Sequence, residues 1–213
     1  IGVVTHPTTA QEPAARRSGP ADGDLVGHQE WVTWRGERVL TLASLWPQPL
    51  RAVVVGINPA PPSVTEGHYY QGRMGRYALT CLVDVGVLPR PAPGQHLDDA
   101  AAAAGIGFTD LVRRPTRSAK DLSAQERRDG AETMRREIRD RHPGLILAVF
   151  APPVKALLGA GSGAPGLQGA RFEGVRVVKL PAQNTRREIA AREWAILGAL
   201  WRERFPSAAE VTR

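Results

Sequence analysis

The residues best suited to chemistry follow the predicted strands of this sequence. Asn58 comes directly after the β-branched run 51–57 and before prolines that fix the turn, so it is either a reactive-site amide or a cap for the strand end. A glycine-rich loop over 66–72 holds Tyr70, and its aromatic rings offer either a flat stacking surface beside Asn58 or ordinary loop packing. Asp110 is the lone carboxylate among the residues expected at the sheet edge where the predicted strands end. It is either catalytic or a cap for its own loop.

Arginine clusters in two loops on the same predicted edge. Arg113, Arg114 and Arg117 share one loop, and Arg186 and Arg187 share another. The formal net charge is +7, from 28 Lys and Arg against 21 Asp and Glu, and all but three of the 28 are arginine. Such a surface suits nucleic acid, because each neutralised phosphate releases condensed counterions. A solvated charged face, or arginine that reflects GC-rich coding, stays open as the alternative.

Several classes of site are disfavoured by what the sequence does not contain. No P-loop or dinucleotide-binding glycine pattern follows the first strand, which argues against nucleoside triphosphate and nicotinamide chemistry. A single cysteine, Cys81, excludes an internal disulfide framework and a cysteine-built zinc site, and the five histidines are scattered along the chain. We therefore expect no cofactor and no metal. With no long apolar run and no secretory signal, the sequence also predicts a cytoplasmic protein with no membrane contact.

Strands alternate with helices from residue 50 onward, which predicts the fold class. This pattern is typical of an α/β chain folded as a three-layer, doubly wound structure with a central, mostly parallel four-stranded sheet. Ligands of such sheets lie outside the carboxyl ends of the strands, which here are residues 58–59, 110–116, 150–152 and 181–185. The predicted strands are 51–57, 107–112, 145–150 and 175–180, and the predicted helices are 76–85, 124–139, 154–158 and 187–205.

The chain divides into one folded domain and shorter flanking segments. Residues 1–24 lack any periodicity and are predicted to be a disordered tail, and residues 207–213 are a short tail at the other end. Residues 25–42 form an arm or hairpin, since strand formers flank Arg35-Gly36-Glu37. The segment 43–206 is the predicted domain, with the Gly/Ser/Ala-rich stretch 159–169 as a loop.

Four segments together resemble a known family. Residues 50–59, 67–70, 76–77 and 107–116, followed by Ser123 and Gln125-Glu126, are similar to the mismatch-specific uracil- and thymine-DNA glycosylase branch of the uracil-DNA glycosylase superfamily. The resemblance extends over about residues 40–205. It implies the doubly wound fold reached above, and a monofunctional glycosylase that attacks with water and not with a lysine nucleophile.

Site residues follow from the resemblance position by position. Asn58 resembles the amide that orients the attacking water, and Tyr70 resembles the aromatic residue that stacks on the flipped base. The resemblance implies that Ile57, His68 and Asp110 lie around the base. These types suit the chemistry, because cleavage of a glycosidic bond produces an oxocarbenium-like sugar and an anionic base, which need an aligned water and hydrogen-bond donors and not a strong base.

The sequence departs from the family pattern after the last strand. The family has an Asn-Pro-Ser-Gly type of turn there, whereas this chain has Pro181-Ala-Gln-Asn-Thr-Arg186. That loop contacts the minor groove and the partner base in the family, so the base removed and the partner tolerated stay open. The candidate DNA-binding residues are Arg114, Arg117, Gln183, Asn184, Thr185 and Arg186, with the amides on base edges and the arginines on phosphates.

The leading hypothesis is a base-excision repair enzyme. It flips uracil, or a related deaminated, modified or mismatched base, out of double-stranded DNA and hydrolyses the N-glycosidic bond, leaving an abasic site. We expect a monomer that associates with the nucleoid when on DNA. Two alternatives stay open: a non-catalytic or weakly catalytic sensor that binds damaged or modified DNA, and a hydrolase of free nucleosides or nucleotides.

Overall fold

The fold is built around one five-stranded sheet. A computed structural model describes residues 24–159 and 163–206, so most of the predicted tails 1–24 and 207–213 lies outside the described residues. The strand order is β4-β3-β5-β7-β6, with β6 antiparallel to β7 and the other neighbours parallel. The main-sheet strands are β3 Ala52–Gly56, β4 Ile106–Asp110, β5 Leu145–Ala148, β6 Gly166–Phe172 and β7 Val175–Lys179.

The predicted fold class is confirmed, but the sheet has one strand more than expected. The stretch 159–169 is predicted as a loop, and its end belongs to the edge strand β6. Only the two ends of β6, Gly166 and Phe172, are buried, so the apolar signal that marks a central strand is missing there. A tight turn at Glu173 and Gly174 joins β6 to β7 as a hairpin.

Helices cover both faces of the sheet and complete the three layers. On one face Val54 and Leu147 pack with residues of α2 and α6, and on the other face Val53, Val55 and Ile146 pack with α4 and α5. Neighbouring strand residues point to opposite faces, so the β-branched runs supply both cores. The helices are α1 Pro61–Glu66, α2 Arg73–Asp84, α3 Leu97–Ala103, α4 Ala124–Arg141, α5 Ala151–Leu158 and α6 Arg187–Arg204.

Two of these helices are not predicted by the sequence pattern. The proline-rich helix α1 and the alanine-rich helix α3 are too short to show a hydrophobic period. Within the part of the chain that the structure describes, no helix combines the length and the apolar character needed to cross a bilayer.

The predicted hairpin is present before the main sheet. Its strands are β1 Gln29–Trp34 and β2 Glu37–Leu42, paired antiparallel around Arg35 and Gly36, which both have positive φ. The Thr41 hydroxyl donates to the carbonyl oxygen of Arg113 at 2.7 Å, and the Arg113 guanidinium donates to the Glu30 carboxylate. The hairpin is thereby joined to the loop that follows β4.

A predicted capping box fixes the loop between β4 and α4. Ser123 and Glu126 exchange both hydrogen bonds, with the Ser123 hydroxyl accepting from the Glu126 N–H and the Glu126 carboxylate accepting from the Ser123 N–H. Arg114 donates to the same carboxylate at 2.7 Å. This hydrogen bond, first among the causes, lowers the pKa of Glu126 to about 2. The ionised Glu126 therefore holds the Arg114 loop to the start of α4 at neutral pH.

Candidate active site

A cavity of about 480 Å³ opens at the carboxyl ends of the central strands. Its position is the one expected for a ligand site in a parallel sheet, outside the ends of the strands. Five of the sequence-predicted site residues line it together: Ile57, Asn58, Tyr70, Asp110 and Arg117. Residues from three separate chain segments are thus brought to one pocket.

The side-chain amide of Asn58 is held in one orientation. Its Nδ2 atom lies 2.8 Å from Thr116 Oγ1 and 3.1 Å from the carbonyl oxygen of Pro59. The Thr116 hydroxyl donates its own proton to the Ser118 carbonyl, so it can only accept from Asn58. Turning the amide over would set Oδ1 against these acceptors, and the network therefore decides which atom is nitrogen.

The consequence is an amide oxygen that stays free. Among residues 24–159 and 163–206, no group donates a hydrogen bond to Asn58 Oδ1, while Nδ2 is surrounded by acceptors. Because Asn58 is half-buried at the cavity wall, that oxygen can accept a hydrogen bond from a water molecule or from a ligand N–H group. A fixed acceptor of this kind can align a nucleophilic water without acting as a strong base.

Gly56 leaves room for two polar groups of residues that line the cavity. A Cβ atom on Gly56 would overlap Asp110 Oδ1 and would lie 2.8 Å from the Tyr70 hydroxyl oxygen. Any larger residue at the end of β3 would push one of these groups away. The glycine is therefore a packing requirement of the site.

Asp110 is a buried carboxyl group with weak charge compensation. Burial raises the pKa of Asp110 to about 7, and the nearby positive charge of Arg113 opposes this only in part. Arg113 is already committed to the Glu30 carboxylate and to the Leu42 carbonyl. Near neutral pH, Asp110 thus exchanges between a neutral form that can donate a hydrogen bond and a charged form that can only accept.

Tyr70 is held on the cavity wall by an unusual backbone conformation. Its φ angle is 60°, and a Cβ on Gly75 in α2 would lie 2.7 Å from the Tyr70 Cβ, so the loop and the helix pack very closely. The Tyr70 hydroxyl is buried and has no hydrogen-bond partner among the described residues. Burial, followed by the Asp110 charge, raises the pKa of Tyr70, so the hydroxyl stays protonated.

Sequence reasoning missed part of the pocket wall. Phe150 lines the cavity with φ 67°, an uncommon value for a bulky residue that points to a constrained position. Ser63 and Met74 line it as well. Phe150 could have been predicted, because the strand end 150–152 is expected at this edge of the sheet. Ser63 could not, because it lies in helix α1, which the sequence pattern does not predict.

His68 does not line this cavity. Its Nδ1 atom lies 3.1 Å from Asp98 Oδ1, and its ring stacks on the His96 ring with centroids 3.5 Å apart. The backbone turns between His68 and Tyr70, so the His68 side chain contacts Asp98 while the Tyr70 side chain lines the cavity. The predicted contact of His68 with the base would require a rearrangement of that loop.

The predicted DNA-binding residues fall into three settings. Arg117 is exposed at the cavity mouth, whereas Arg114 is engaged with the Glu126 carboxylate. The turn 182–185 is closed by a hydrogen bond from Thr185 N–H to the Ala182 carbonyl, and Gln183 and Asn184 within it and Arg186 beside it are exposed. Thr185 is therefore used to shape the turn.

A larger groove adjoins the pocket. It encloses about 940 Å³ between α4 and α5, and it shares Ile57, Ala119 and Pro152 with the smaller cavity. Basic side chains outnumber acidic ones along its wall: Lys120, Arg127, Arg128, Arg135 and Lys155 against Asp129 and Glu132. The groove has no counterpart of the Asn58, Asp110 and Tyr70 group, so the smaller cavity is the better candidate for chemistry.

Part of the chain is similar to a known protein. No protein-family model matches the chain. Over 99 residues the chain is 31% identical to the G/U mismatch-specific uracil DNA glycosylase of Schizosaccharomyces pombe, a match that covers 46% of this chain and only 30% of that protein. The similarity is thus to a uracil DNA glycosylase over less than half of this chain, and it does not distinguish one branch of the uracil-DNA glycosylase superfamily from another.

Proposed function

We propose that the chain is a monofunctional DNA glycosylase that acts on uracil, or on a related deaminated or mismatched base, in duplex DNA. The observation that carries the proposal is the orientation of Asn58, whose amide nitrogen is fully used and whose oxygen is free at the cavity wall. The partial similarity to a uracil DNA glycosylase supports the broader part of the proposal, which is DNA glycosylase activity in general.

The proposed reaction needs little from the protein beyond positioning and electrostatics. Asn58 Oδ1 accepts a hydrogen bond from the attacking water and directs its oxygen toward C1′ of the sugar. The C1′–N bond breaks with its electron pair passing to the base, the water oxygen bonds to C1′, and a water proton is released. Hydrogen-bond donors around the base then stabilise the negative charge that develops on it.

Tyr70 and the cavity would hold the flipped base. The aromatic ring provides a stacking surface, and the 480 Å³ volume excludes a paired duplex, so the nucleotide must leave the helix to enter. Extrusion costs a few kcal/mol and is easiest for a mispaired base. The exposed Gln183 and Asn184 are proposed to contact the strand that loses its partner, which would make them the determinants of mismatch preference.

Incubation with labelled duplexes tests the function directly. The substrates would carry uracil, thymine opposite guanine, hypoxanthine or hydroxymethyluracil, and alkali would cleave any abasic site. Strand cleavage with uracil or a related base that is much slower in Asn58→Ala supports the proposal. Tight binding without cleavage would replace it with a damage sensor, and release of base from free deoxyuridine alone would indicate a nucleoside hydrolase.

The pH dependence of turnover should depend on Asp110. A neutral carboxyl can donate to the departing base, whereas a charged one repels its developing negative charge, so turnover should fall as pH rises through about 7. Asp110→Asn keeps a neutral donor and should remove that decline. Turnover of the two proteins would be measured between pH 5.5 and 9, a range of about one and a half to two units around the raised pKa.

The pH dependence of the free energy of unfolding tests the titration of Asp110 independently of enzymatic activity. In the folded protein Asp110 holds its proton more tightly than in the unfolded chain, so the free energy of unfolding should decrease between pH of about 4 and about 7. Asp110→Asn should remove this part of the pH dependence. Turnover that instead rises through pH 7 in the wild type would make the ionised carboxylate the useful form and reverse the assigned role.

Arg117 and Arg186 should contribute to DNA affinity through phosphate contacts. Replacing either with alanine should reduce the slope of log affinity against log salt concentration by about 1 and weaken binding equally for all sequences. Arg114→Ala should change the slope less, because its guanidinium is bound to Glu126. Arg51, exposed at the opposite end of β3, serves as the control. Unchanged slopes in the Arg117 and Arg186 variants would indicate that DNA binds instead along the basic groove between α4 and α5.

A further inference from the structure

Four potential metal ligands meet outside the cavity, although the sequence gives no sign of it. His28, His68, Asp98 and Asp99 each offer one ligand atom, and these atoms all lie within 4.8 Å of one another. They come from the segment before β1, the loop after α1 and the first turn of α3. The sequence predicts no metal because the histidines are scattered, and the fold brings these distant residues together.

The individual distances are those of a compact ligand set. His28 Nε2 lies 2.8 Å from Asp99 Oδ1 and 3.7 Å from Asp98 Oδ2. His68 Nδ1 lies 3.1 Å from Asp98 Oδ1 and 3.9 Å from Asp99 Oδ2. Tetrahedral zinc with bonds of about 2.0–2.2 Å separates its ligand atoms by about 3.3–3.6 Å. The observed distances involve both oxygens of each carboxylate and fall on both sides of that range, so binding an ion would require the side chains to rotate until one oxygen of each carboxylate faces it.

Neighbouring groups hold the side chains of the cluster in place, as they do around metal ligands. The Asp98 side chain is fully buried and accepts a hydrogen bond from the Tyr69 N–H at 2.7 Å, which fixes its orientation. The His68 ring is stacked on His96 and is nearly buried. A side chain at Gly27 would lie 2.8 Å from His68 Nε2, so the chain packs closely against the ring. Such outer contacts orient imidazole and carboxylate ligands.

We propose that His28, His68, Asp98 and Asp99 bind one zinc ion. Two imidazole nitrogens and two carboxylate oxygens are a donor set that zinc accepts, whereas calcium and magnesium prefer oxygen ligands alone. Two carboxylates neutralise the charge of the ion, which makes its burial favourable. The proposal concerns a structural site, and it does not depend on the proposed glycosylase activity.

Zinc at this position would join the N-terminal arm to the loop that carries Tyr70. The two segments already touch, since the His28 N–H donates to the Gly67 carbonyl at 2.7 Å. His68 precedes Tyr70 by two residues, so a ligand bond at His68 would restrict the backbone that holds the aromatic ring in its positive-φ conformation. The ion would therefore stabilise the arm and the pocket wall together.

Zinc retention by the full chain tests the proposal. The protein would be stripped with a chelator, dialysed against zinc chloride and passed through gel filtration, and its zinc content measured. We expect one zinc per chain in the wild type. His28→Ala and Asp99→Asn, both at partly exposed positions that should still fold, should each weaken zinc binding at least about tenfold. His142→Asn, which removes an exposed histidine at the end of α4, should bind like the wild type.

Two further measurements distinguish zinc held by this cluster from zinc bound elsewhere on the protein. Zinc should raise the melting temperature of the wild type and not that of the His28→Ala/Asp99→Asn double variant, because only a folded site gains stability from the ion. X-ray absorption should show nitrogen and oxygen ligands without sulfur. No zinc retained by the wild type, equal retention by the double variant, or a sulfur ligand from Cys81 would each overturn the proposal.

Discussion

Asn58→Ala should lower the turnover of uracil-containing duplex by about 10²-fold or more, with little loss of DNA affinity. The attacking water needs its aligned acceptor only on the way to the transition state, whereas binding uses the phosphate contacts and base stacking. Loss of one preorganised group in a water-excluded site commonly costs about two to three powers of ten. Single-turnover rates and equilibrium binding of the same duplex separate the two effects.

A variant that removes one hydrogen-bond partner of Asn58 is a milder change to compare with Asn58→Ala. Thr116→Val removes the acceptor that lies 2.8 Å from Nδ2 while leaving the other carbonyl oxygens in place, so it should reduce turnover less than Asn58→Ala does. Gln95→Ala, which removes an exposed side-chain amide before α3 and outside both cavities, should leave single-turnover chemistry unchanged. Equal losses of binding and turnover in Asn58→Ala, together with a lower melting temperature, would make Asn58 a structural cap of the strand end.

Sequence pattern alone predicts that residues following buried strands lie at one edge of the sheet. Asn58 comes after β3 and Asp110 ends β4, and these strands pair in parallel with Gly56 opposite Asp110. Continuous β-branched runs reveal buried parallel strands, and parallel strands align their carboxyl ends. The position of these residues at one edge was therefore available from pattern alone.

What the sequence did not reveal depends on contacts between distant segments. The pairing of Arg114 with Glu126 and the meeting of His28 with Asp99 join residues 12 and 71 positions apart, and no local period encodes such a contact. The raised pKa of Asp110 is a second example, because it arises from burial, which the positive charge of Arg113 offsets only in part. Sequence spacing can place a carboxylate at an edge, but only the packed structure decides its charge.

Tyr70→Ala should weaken capture of the flipped base by about 1–3 kcal/mol, the usual contribution of one base–aromatic stack, which is about 5- to 150-fold in affinity. The ring lies on the cavity wall with Asp110 and Asn58, where a planar base would contact it. The comparison would use a duplex with an uncleavable uracil analogue and a duplex without the lesion. Only the affinity for the lesion should fall, because the phosphate contacts remain.

Tyr70→Phe separates stacking from the buried hydroxyl. Phenylalanine keeps the ring and removes an oxygen that has no hydrogen-bond partner in the described part of the chain, so base capture should stay close to the wild type and the fold should not be weakened. The positive φ of residue 70 is uncommon for tyrosine, phenylalanine and alanine alike, so the backbone cost largely cancels in this comparison. If Tyr70→Ala instead binds the lesion like the wild type but melts at a lower temperature, the ring belongs to the packing against Gly75, and the base must stack on Tyr69 or Phe150, the other aromatic residues on the cavity wall.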